Sequence, residues 1–175
     1  MKVIALSLLA AFPNPLKALH LPHVARHDVV VEDSRTAGWR ITARQDRFAS
    51  ATPTCTLRRG SMSVQRGVVV FSFPRSTDTA NAQFRLDDGA LQTAGSVAVE
   101  VAGAGVQLVT PDLKNPSSGR VAIPLRVVEA AHKVSIRPNT RSSHRDFILD
   151  GLPTALEAAK TLGCAPSNLP AAKTP

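Results

Sequence analysis

The sequence predicts a mainly β protein: an antiparallel β-sandwich or barrel carrying one short C-terminal α-helix. Three observations lead there. Short runs in which apolar and polar residues alternate recur through most of the chain, the period of a strand with one buried face. Gly, Pro and Asp clusters punctuate these runs. The exception to the alternation comes last, where Leu152, Leu156, Ala159 and Leu162 recur at helical spacing.

A segment of different character precedes the strands. Lys2 is followed by ten apolar or small residues at 3–12, and Pro13, Pro15 and Lys17 end the run. This is the layout of a secretory signal, about half the ~20 residues that a membrane-spanning helix needs. Residues 1–18 are expected to be the signal peptide. Ala18 is the small residue best placed for cleavage, although Leu16 stands where another small residue is preferred. The alternative is a buried N-terminal strand or helix of a cytosolic domain. Residues 19–37 read as a linker in which 29–31 can form a short edge strand, and the β domain is assigned to 38–164.

Within that domain Trp39, Ile41 and Ala43 alternate with Arg40, Thr42 and Arg44. Cys55 and Leu57 alternate with Thr56 and Arg58, then Met62 and Val64 with Ser63 and Gln65; Gly60 and Gly67 punctuate them. The continuous apolar run 68–73 suits a central strand. Phe84 and Leu86 lead into Asp87-Asp88-Gly89, a turn signal built from residues that tolerate positive φ. Val97, Val99 and Val101 predict one strand, Val106 and Leu108 another, and 112–119 a loop. Val121, Ile123, Leu125 and Val127 alternate again. Pro124, on the opposite face, lacks a ladder donor and places that strand at a sheet edge. Val134 and Ile136, then 147–149, complete the set. Pro153 near the start and Gly163 at the end bound the helix. Residues 165–175 have no core pattern and are expected to be a disordered tail.

At 175 residues the chain can bury a core without metals or dense cross-links. Its composition excludes collagen, a coiled coil, a polytopic membrane protein and a wholly disordered chain. With only 4% aromatic residues, the core must come mostly from Val, Leu, Ala and Ile. The two cysteines, Cys55 and Cys164, are an even number in a chain expected to be exported, and an oxidising compartment favours pairing them. Two unrelated buried thiols are the alternative. Neither has a second Cys or a His at ligand spacing, so no metal site is expected there.

Catalytic signatures are sparse. There is no Gly-x-Ser-x-Gly elbow, and His144-Arg145-Asp146 matches a kinase triplet without the Asn or glycine-rich loop that the signature requires. Asp78-Thr79-Ala80 is similar to the Asp-Thr-Gly/Ala loop of aspartic proteases, but a single copy needs a partner to supply the second carboxylate. The alternative is a turn in which Asp and Thr bond to backbone. His20, His23 and His27 could gather a metal on a flexible arm; a solvated linker is the plainer reading. His132 and His144 are isolated. No cofactor is expected.

Net charge is the feature with functional content. Lys and Arg outnumber Asp and Glu by eight, and loss of residues 1–18 would remove only Lys2 and Lys17 from that excess. Arg40 and Arg44 share the face opposite Trp39, and Arg58 holds the equivalent face of the next strand. If those strands pair, three guanidinium groups meet on one solvent face, able to grip carboxylates or phosphates. Nucleic acid is not the expected partner, because neither aromatic stacking nor a recognition helix accompanies the arginines. The anion is expected to be a component of the cell envelope or an acidic protein; the alternative is a merely solubilising surface.

The order of features is similar to that of a known family. A signal-like start, Trp39-Arg40-Ile41, Cys55-Thr56-Leu57, alternating strands, the run from Phe147 through Asp150-Gly151-Leu152-Pro153 to Leu156, and a late Cys164 resemble the invasion-associated locus B family of small alphaproteobacterial periplasmic proteins. The resemblance spans residues 39–164 and implies an exported β-sandwich with no catalytic residues to transfer. The expectation is therefore a periplasmic or secreted, envelope-associated binding protein. Two alternatives stand beside it: a secreted hydrolase using Asp78, and an oligomeric envelope component pairing through the Pro124 strand and residues 29–31.

Overall fold

The alternation at residues 39–43 becomes one buried row of a sheet. The computed structural model describes residues 28–46, 53–97, 101 and 119–164. Its strands are β1 (Asp28–Thr36), β2 (Trp39–Asp46), β3 (Thr54–Arg59), β4 (Met62–Gln65), β5 (Val68–Ser72), β6 (Gln83–Leu86), β7 (Gln92–Thr93), β8 (Arg120–Pro124), β9 (Lys133–Arg137) and β10 (Arg145–Ile148). Among the described residues, short helical turns lie at α1 (Leu125–Val128) and, as a 3-10 turn, at Ala94–Val97, and a longer helix is α2 (Leu152–Thr161). The strands form two antiparallel sheets, ordered β1-β2-β3-β4-β5-β8 and β10-β9-β6-β7. Of the two expected architectures, this is the sandwich.

Register explains why the period-two pattern was so regular. Ile41, Leu57, Val64, Val69 and Ile123 lie opposite one another across five strands, and every one is fully buried. On the facing sheet Phe84, Val134, Ile136 and Phe147 point inward. Phe147 of β10 meets Phe71 of β5 edge-on, with ring centroids 4.9 Å apart, a geometry that adds to the area both rings bury. Helix α2 packs on β1 and β2 through Leu152, Ala155, Leu156 and Ala159. Just past its end, Cys164 lies at disulfide distance from Cys55 of β3, with 5.5 Å between Cα atoms.

Among the described residues Pro124 ends an edge strand, since β8 closes one side of the larger sheet and β1 the other. The expected linker at 19–37 needs correcting over its second half: β1 spans nine residues and pairs with β2 along most of its length. An edge strand with exposed Glu32, Asp33 and Arg35 carries no apolar period, so its signal lay in the turn instead. Ala37 and Gly38 both have positive φ, +50° and +82°, the two-residue hairpin turn that matches strand twist.

Two further expectations change. Val97 ends the 3-10 turn and Val101 is helical, so the strand predicted through 97, 99 and 101 is absent at both ends. Positions four apart satisfy the helical period as well as the strand period. Val101 instead packs on Val68, Val70 and Ala122. The strand predicted through Leu125 and Val127 stops at Pro124, and the next four residues wind into α1, burying Leu125 and Val128. The predicted strand at Val106 and Leu108, the predicted loop up to 118, the signal segment and the tail lie outside the described residues.

Candidate functional site

The outer face of the larger sheet is divided. Over β5 and β8, Val68, Val70 and Ala122 are covered by Val101. Over β1 to β3 it is open and basic. Arg35 lies opposite Arg40 and Arg40 opposite Arg58, so three guanidinium groups occupy one line across three strands. Arg44 follows four residues along β2, on the same face. All four are exposed. The sequence-predicted trio Arg40, Arg44 and Arg58 is thus brought together, and Arg35 joins it.

One carboxylate answers this row. Asp33 accepts from Arg40 Nε at 2.8 Å and from Arg40 Nη2, a two-point pairing of planar groups. That hydrogen bonding, with the charges of Arg40 and Arg35 behind it, holds the Asp33 carboxyl below the usual aspartate range and tightens the hold of Arg40 on its proton. Among the described residues Arg44 and Arg58 have no such partner. Like charges directly opposite on neighbouring strands are destabilising, and four arginines with one aspartate leave three positive charges over a few strand spacings of about 4.8 Å each.

The second sheet also presents a polar outer face, which the sequence did not single out. Lys133, Ser135 and Arg137 of β9 point away from the core, as do Gln83 and Arg85 of β6. With Asp87, Asp88, Leu91, His144 and Asp146 they line a cleft of about 320 Å³. Ser135 sits at its centre, opposite Arg85 on one side and Asp146 on the other. Its hydroxyl donates to Asp146 Oδ1 at 2.7 Å. His144 Nε2 lies 3.9 Å from the same oxygen. Serine, histidine and aspartate therefore meet, but in an order unlike a hydrolytic triad: the serine proton faces the carboxylate rather than an imidazole base. At the cleft margin Asp87, with φ +50°, accepts the backbone N–H groups of His132 and Lys133.

Asp78 and Thr79 lie in a turn whose bonds run to backbone. Asp78 is exposed and caps its own turn, accepting the Ala80 N–H at 3.0 Å; buried Thr79 donates to the Arg120 carbonyl at 2.9 Å. Both side chains therefore bond to backbone. His20, His23 and His27 lie outside the described residues. Among the described residues no three His, Cys, Asp or Glu side chains are grouped to hold a metal ion, and no helix is long and apolar enough to cross a membrane. Comparison of the chain with protein-family models, curated proteins and solved structures gives no match.

Proposed function

We propose that the protein is an exported binding protein that docks an anionic component of the cell envelope against the arginine face of its larger sheet. One observation carries this reading: Arg35, Arg40 and Arg58 stand in a single cross-strand row with Asp33 as its only carboxylate partner among the described residues. An external anion offsets the repulsion that such a row imposes on the free protein. The exposed arginines suit phosphate or carboxylate groups displayed on a surface, where each contributes about 1 kcal/mol near an anionic membrane. Support for export comes from the signal-like residues 1–18 and from the Cys55–Cys164 pair, which belongs to an oxidising compartment. Membership of the invasion-associated locus B family is part of the same proposal.

The test is co-sedimentation of the mature protein with vesicles containing phosphatidylglycerol, against vesicles of phosphatidylcholine alone. Replacing Arg40, Arg44 and Arg58 together with Ala removes about 3 kcal/mol by that scale, on the order of a hundredfold in partitioning. Unchanged sedimentation of the triple variant at low salt overturns the assignment of the face. Export is tested separately: N-terminal sequencing of the cellular protein, with thiol titration, is expected to give a processed start and no free thiol. An intact Met1 with two free thiols overturns it.

A further inference from the structure

We propose that the cleft on the smaller sheet is a second, independent binding site for a small molecule bearing a carboxylate or phosphate at one end and a hydroxyl or ammonium group at the other. The cleft has two chemically distinct sides. On one, Arg85 faces Ser135 across the β6–β9 ladder, and Arg137 lies two residues from Ser135, placing the two arginines on a diagonal of about 7–8 Å. Long side chains reach across that gap, so both guanidinium groups can close on one oxyanion with paired N–H donors. Among the described residues neither arginine has a carboxylate partner. Lys133, the third cation, is 3.7 Å from Asp88.

On the other side Asp146 faces Ser135 from β10. A carboxylate here repels a ligand that is anionic throughout, and it accepts from a ligand that carries a donor. With its proton committed to Asp146, the Ser135 oxygen is left to accept as well. Cationic side, accepting side and a volume of about 320 Å³, at the small end of ligand pockets, together specify a compact bipolar ligand. Leu91 adds an apolar wall.

The experiment follows backbone amide shifts of the mature protein on titration with 4-hydroxybutyrate, 4-aminobutyrate, glycerol phosphate, butyrate and inorganic phosphate. The first three carry the donor; the last two are their controls. Saturable shifts at Arg85, Ser135 and Arg137 are expected for 4-hydroxybutyrate or 4-aminobutyrate if the natural oxyanion is a carboxylate, and for glycerol phosphate if it is a phosphate. Binding of that ligand at least about tenfold tighter than its control is expected. Arg85→Gln with Arg137→Gln abolishes saturation, Asp146→Asn erases the preference over the control, and Arg44→Gln with Arg58→Gln changes neither. Absence of saturable shifts for all five probes, a control binding as well as its partner, or binding retained without Arg85 and Arg137 each overturns the proposal. Because the arginine face is tested on vesicles and the cleft on small molecules, either can fail without the other.

Discussion

Asp33 is the residue on which the charge of the arginine face turns. Its carboxyl is held below the usual aspartate range by the Arg40 hydrogen bonds first and by surrounding positive charge second. A depressed carboxylate contributes stability that is complete above the unfolded-state value and is lost as pH falls through the lower folded value. Acidification below the normal aspartate range therefore weakens the β1–β2 contact while freeing Arg40 for an external anion. Asp33→Asn reproduces the freed arginine at neutral pH, and vesicle partitioning is expected to rise severalfold, opposite in sign to the arginine variants. A second single-residue prediction concerns Gly151, which has φ +76° and faces the Ala37–Gly38 turn. A Cβ placed there meets the Ala37 Cβ and carbonyl oxygen at 2.6 Å. Gly151→Ala combines a left-handed backbone penalty with overpacking, about 2–5 kcal/mol in all, and chemical denaturation is expected to report that loss.

Helix α2 and strand β1 show why some elements were legible and others were not. Helix α2 announced itself because Leu152, Leu156 and Ala159 need one buried stripe and Gly163 can adopt positive φ, here +75°. Strands β2 to β4 were readable for the same reason in period two, and β5 as a continuous apolar run buried on both faces. Strand β1 was readable only at 29–31; the rest of this edge strand, with exposed Glu32, Asp33 and Arg35, owes its pairing to the neighbouring ladder and the turn. The arginine trio followed from alternation alone, whereas Arg35 and Asp33 were hidden with β1. The cleft depends on β6 pairing with β9, strands far apart in sequence, and no local pattern sets that register. The tie between α2 and β3 gives the element-scale prediction. Cys55 and Cys164 are separated by 109 residues, so removing the bond frees a long loop in the unfolded chain. Cys55→Ser with Cys164→Ser is expected to cost about 2–4 kcal/mol, with amide exchange accelerating in α2 more than in the central strands β4 and β5.

At the scale of the molecule, the sandwich isolates its two polar surfaces from each other by a single apolar layer. The arginine row and the cleft lie on opposite outer faces, separated by the packed inner rows of both sheets. The full chain carries a net charge of +8, or +6 once Lys2 and Lys17 are removed with residues 1–18; such a protein is attracted to anionic surfaces at long range, and that attraction is screened over about 10 Å at 0.1 M salt and about 3 Å at 1 M. Vesicle capture by the exposed arginine face is expected to fall steeply between those concentrations. Trp39, fully buried and donating from Nε1 to the Asp150 carbonyl at 3.2 Å, is the only indole in the chain. It stands where the first hairpin, the Asp150–Gly151 corner and the start of α2 converge. Intrinsic tryptophan fluorescence is thus silent on every other part of the protein: a red shift reports water reaching that one corner, and no dye is needed to watch it open.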